Sequence, residues 1–125
     1  MEPRSPHDPF GDFEDRLGGS RWRPAVDVFE TEKAIVARFE LAGVRISELT
    51  VTVDGDRLRI SGIRRAASTD GVQRLHQMEI AFGPFECVLR FEVAFERDQV
   101  SAHLEDGFLT VTLPKQSPRR LSVDR

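Results

Sequence analysis

At 125 residues, with one cysteine and 39% hydrophobic residues, the chain is expected to form one domain with tails, large enough to fold on a hydrophobic core without disulfide staples. A net charge of −3 spread over 31% charged residues argues against a general nucleic-acid binder. No apolar run is long enough to span a bilayer, and the opening MEPRSPHDPF is polar and Pro-rich with no apolar signal region, so a cytoplasmic protein with neither nucleic acid nor membrane as partner is expected. The Arg pairs Arg64-Arg65 and Arg119-Arg120 are too short for basic patches and read as solvated loop and tail charges.

Residues 1–21 read as a flexible N-terminal arm, because Pro3, Pro6, Pro9 and Gly18-Gly19 oppose regular structure. Within it Phe10, Phe13 and Leu17 have a spacing close to helical, enough for a transient amphipathic turn. Strands follow. Val26 and Val28 alternate in a first, and Ile35, Ala37, Phe39 and Leu41 in a second. Leu49, Val51 and Val53 form a third, turning at Asp54-Gly55 into a fourth with Leu58 and Ile60. A polar stretch from Arg64 to Gln77 is long for a hairpin connection. Cys87, Leu89, Phe91 and Val93 alternate in the next strand, and Val100, Ala102 and Leu104 in the one after. Asp106-Gly107 is a hairpin turn, since Gly takes a positive φ without cost. The last strand places Leu109, Val111 and Leu113 on one face and Thr110 and Thr112 on the other, and Pro114, which cannot donate to a ladder, stops it. Many short strands without a long helix predict an all-β antiparallel sandwich over 22–115, with a polar C-terminal tail over 116–125.

No catalytic or nucleotide-binding grammar is present: there is no P-loop, no G-x-S-x-G and no H-E-x-x-H. The reading is therefore not an enzyme, with no cofactor. His76-x-x-Glu79 offers two metal ligands at most, pointing to opposite faces of an extended chain, so no metal is expected. Cys87 admits two readings, a redox switch and a small buried hydrophobe; its parity with Leu89, Phe91 and Val93 favours the second.

The stretch AHLEDGFLTVTLPK (Ala102 to Lys115) resembles the A-x-x-x-n-G-x-L signature of the small heat-shock protein (α-crystallin domain) family, with Ala102, Asp106, Gly107 and Leu109 in the signature positions and Pro114-Lys115 closing it. WRPAVDVFET (Trp22 to Thr31), FELAGV (Phe39 to Val44), LRISGIRR (Leu58 to Arg65) and FGPFE (Phe82 to Glu86) follow the family's order and spacing, so the resemblance runs from about Trp22 to Val123. Cys87 stands where the family has Arg, Phe91-Glu92 where it has Leu-Pro, and Ala42 where it has Pro.

The resemblance implies an immunoglobulin-like β-sandwich and an ATP-independent holdase that binds partly unfolded client proteins. It implies that Leu121 and Val123 act as an anchor docking between two strands of a neighbouring subunit, here those carrying Leu49, Val51 and Val53 and Val100, Ala102 and Leu104. It further implies a homodimer, and higher oligomers, in which Val72, Leu75 and Met78 of the long loop cover the first strand of a partner at Val26 and Val28. A dimer through the strand around Cys87 is the runner-up. Phe10, Phe13 and Leu17 would capture clients. The rival reading from another class is a co-chaperone or adaptor sandwich that binds one folded partner.

Overall fold

Apolar residues two apart in short segments decide the architecture, because an extended chain turns them all to one side. The computed structural model describes residues 22–117 and 122–124. Its seven strands are β1 (Val26–Glu30), β2 (Ala34–Glu40), β3 (Leu49–Asp54), β4 (Arg57–Arg64), β5 (Gly83–Arg90), β6 (Ser101–Glu105) and β7 (Phe108–Pro114). They pair antiparallel in two sheets, one of order β1-β2-β7-β6 and one of order β3-β4-β5. The inward rows meet in one core: Ile35, Ala37 and Phe39 of β2, Leu58 and Ile60 of β4, Phe85 and Cys87 of β5, and Leu109, Val111 and Leu113 of β7 are all buried. The expected all-β antiparallel sandwich is what forms. Cys87, 2% exposed, is part of that core.

The two local signals behave as their chemistry requires. Asp106 and Gly107 have φ of 53° and 82°, the pair of positive values a two-residue hairpin turn needs. Gly107 is also held close to the second strand's end, where an added Cβ would lie 3.1 Å from the Cα of Ala42. Gly62 of β4 is a tighter close approach: a Cβ there would sit 2.6 Å from the Glu48 carbonyl and 2.9 Å from the Phe85 ring.

Two expectations need correction. The strand expected from Cys87 to Val93 instead runs from Gly83 to Arg90. The Phe91 N–H makes the last bond in that register, to the Asp56 carbonyl at 2.9 Å; the ladder ends there because its partner β4 begins only at Arg57, and the Phe91 ring meets Phe95 edge-on at 6.1 Å. Pro84 does not interrupt β5, because β5 is an outer strand of its sheet and a missing donor is tolerated there. Arg64 is not a solvated loop charge but the last residue of β4, whereas Arg65 lies in the loop with its side chain 61% exposed. The Arg64 side chain is only 12% exposed, and Arg65 donates twice to the Glu48 carboxylate from its Nε and once from Nη2. Residues 65–82, which include His76 and Glu79, form no strand.

Candidate functional site

Sheet order places the two strands expected to form the anchor groove at edges. β3 is the outer strand of the three-stranded sheet, and β6 is the outer strand of the other. Each points an apolar row inward. Leu49, Val51 and Val53 stand opposite Gly62, Ile60 and Leu58 of β4, and Ala102 and Leu104 stand opposite Val111 and Leu109 of β7. Their β4 and β7 neighbours Ile60, Leu58, Val111 and Leu109 are buried, whereas Leu49, Val51, Val53, Val100 and Leu104 are half-buried against the core and Ala102 is exposed. An outer strand has no further strand beside it, so its inward row stays partly open and its backbone edge is unpaired. At one end, Val53 shares a pocket of about 410 Å³ with Phe95, Glu96, Arg97, Asp98 and Gln116. The C-terminal segment leaves from that pocket, where the Gln116 N–H donates to the Ala94 carbonyl at 3.0 Å.

Val123 is 89% exposed. Leu121, its companion in the expected anchor, lies outside the described residues, as do Phe10, Phe13 and Leu17 of the expected client-binding arm.

The expected dimer contact separates into two places within one chain. Val26 and Val28 of β1 face Phe39 and Ala37 of β2, yet Val26 is half-buried and Val28 is 47% exposed, because β1 is the outer strand of its sheet. Val72, Leu75 and Met78 line a different pocket, of about 520 Å³, under the long loop. The structure thus brings the three loop residues together but does not bring them to β1 of the same chain. The outer edge of β5, on which the runner-up dimer would depend, is bridged by Trp22 at Phe85 alone.

Arg64 holds this end of the molecule together, and the reading of the chain missed it. It donates to the Ala81 carbonyl from Nε at 2.8 Å and to the Ala42 carbonyl at 3.3 Å, and its guanidinium carbon lies 4.1 Å from the centre of the Trp22 ring. The Trp22 Nε1 donates to the Gly83 carbonyl at 2.8 Å, and its ring meets Phe85 edge-on at 5.2 Å. The signal was in the parity: Arg64 is in phase with Leu58, Ile60 and Gly62 and therefore turns inward. Elsewhere the charges are paired at the surface. Its hydrogen bonds from Arg65 hold the Glu48 carboxyl below the ordinary range, and the Arg90 guanidinium does the same for Asp56. Among the described residues no cluster of three or more metal-ligating side chains occurs, and no helix is long and apolar enough to cross a membrane.

Residues 27–124, which include nearly the whole sandwich, match the Hsp20/alpha crystallin family. The chain belongs to that family. The Spore protein SP21 of Stigmatella aurantiaca is 34% identical over 114 residues, covering 89% of this chain and 68% of that protein. The 17.8 kDa class I heat shock protein of Solanum lycopersicum is 36% identical over 99 residues, 78% of this chain. This chain spans 64% of the tomato protein's length, just under two thirds. Among solved structures, a small heat-shock protein from Xylella fastidiosa superposes with a TM-score of 0.70 at 26% identity, covering 85% of this chain and all of that one; it is described as having a distinct high order structure. Small heat-shock proteins are non-enzymatic chaperones, and membership of the Hsp20/alpha crystallin family supports a chaperone role for this chain.

Proposed function

We propose that this protein is an ATP-independent holdase of the cytoplasm, which binds partly unfolded clients and keeps their apolar patches and strand edges apart. The observation that carries this reading is the pair of outer strands β3 and β6, each with a half-buried apolar row facing the core. Such a row can take up an extended segment with two aliphatic residues at a spacing of two, which is what Leu121 and Val123 of a neighbouring chain offer. Burying two aliphatic side chains is worth at most about 3–6 kcal/mol, while ordering the tail costs roughly 1–2 kcal/mol per residue. One docked tail is therefore weak and reversible, and several hold an assembly together. A groove that empties easily can be lent to clients. The building block is a dimer in which the long loop, through Val72, Leu75 and Met78, covers β1 of the partner at Val26 and Val28. The open outer edge of β1 and the 47% exposure of Val28 support it. No chemistry is assigned to the chain. The test is light scattering of a heat- or reductant-stressed model protein: suppression should appear and be unchanged by ATP. Absence of suppression at severalfold molar excess overturns the holdase.

A further inference from the structure

We propose that the pocket under the long loop is the docking site of the chain's own N-terminal arm, entered by Phe10, Phe13 and Leu17. The loop closes over about 520 Å³, and its walls include Ala66, Val72, Leu75 and Phe82, with Arg64 on one side. Apolar walls of this kind favour an apolar occupant over water. Where the arm begins points to the occupant. Trp22 is the first described residue, and its ring lies 4.1 Å from the Arg64 guanidinium carbon. Arg64 is itself a wall of the pocket, so the arm joins the sandwich at the pocket's rim.

Reach agrees with that placement. Leu17 is five residues from Trp22 and Phe10 twelve, which allow spans of up to about 17 Å and about 40 Å in extended chain. The segment DPFGDFED, residues 8–15, carries Asp8, Asp12, Glu14 and Asp15 and no cation. Charge does not draw that segment in: of the charged residues lining the pocket, Arg64, Arg65 and Glu79, Arg65 is paired with Glu48 and Arg64 lies 3.9 Å from Glu40, so the apolar side chains of the arm carry the docking. Pocket and arm belong to one chain, so the proposal does not rest on the dimer. The same loop residues serve both, however, and an occupied pocket ties the arm's position to the loop a partner would engage.

The experiment uses the full chain with Phe13 replaced by photoreactive benzoylphenylalanine, mixed as light and 15N-labelled copies, irradiated and mapped by mass spectrometry. Cross-links should fall within residues 66–82 of the same copy. Cross-links to residues 49–53 or 100–104, cross-links only between light and heavy copies, or no preferred position overturn the proposal. Hydrogen exchange provides a second reading. Loop amides between 66 and 80 should exchange about tenfold faster in the Phe10→Ser, Phe13→Ser, Leu17→Ser variant than in the unaltered chain; equal rates overturn it. Native mass is measured on each sample, so the two readings fail separately. A dimer without the cross-link defeats arm docking alone, and a monomer that keeps it defeats the dimer alone.

Discussion

Arg64 occupies the end of a strand, where a long cationic side chain is ordinarily left in water. Here it serves two carbonyls and the Trp22 ring at once. The guanidinium is suited to this because its planar fork bonds in one direction while its face stacks in another. Arg64→Ala should lower unfolding free energy by about 2–3 kcal/mol, from lost charged hydrogen bonds and stacking. The emission of Trp22, the chain's only tryptophan, should shift to the red. Arg64→Lys should recover only part of both, since an ammonium cannot reproduce the fork; full recovery in denaturant titration would contradict this account. The Arg65–Glu48 pair bears on acid stability. Its carboxyl is held below the ordinary value of 4.5, so its contribution is fully present above that pH and is lost as pH falls through the folded value. Arg65 is exposed and Glu48 only half-buried, so the effect is small. Glu48→Gln should flatten the acid limb of a Tm-versus-pH curve below pH 4.5 and leave its slope near neutrality unchanged.

At the scale of elements, the long loop and β1 answer each other. A strand edge with an exposed valine beside it invites another chain, and the loop is a segment that makes no strand of its own. Deleting Ala66 to Arg74 removes Val72 and shortens the reach of Leu75. The sandwich should survive, because its buried core residues lie outside the deleted segment. Dimers should weaken or disappear at low concentration, as read by native mass spectrometry. A deletion variant with the unaltered chain's mass distribution would remove the loop from the dimer.

For the whole molecule, the question is how weak links make an assembly. Leu121→Ala with Val123→Ala removes most of the aliphatic area a tail can dock, on the order of 2–4 kcal/mol per tail if both residues are buried in the groove. Val123 is 89% exposed in the single chain, so the melting temperature of the sandwich should barely move. Assemblies larger than a dimer should fall to dimers, since each lost tail removes one link from a multivalent set. An unchanged mass distribution in the double variant would make these ordinary tail residues.

Most of the fold was legible in the chain itself. Period-2 alternation marks a strand by local geometry alone, and Asp106-Gly107 marks a turn by the conformational freedom of one residue, so β1 to β4, β6 and β7 could be read from their own residues. The apolar rows proposed as the anchor groove were legible only as alternation within β3 and β6. Other features depended on contacts between residues distant in sequence. β5 stops at Arg90 because its partner β4 begins at Arg57 and offers nothing further to pair with, and Pro84 is tolerated because sheet order puts β5 at an edge. Arg64 turned from a presumed solvated charge into a clasp because Trp22, 42 positions earlier in the sequence, folds back onto β5 beside it. Which rows remain open was likewise a tertiary matter. An apolar stripe looks the same in sequence whether its strand is central or outer, and only the order of strands in the two sheets makes β1, β3, β5 and β6 the outer ones.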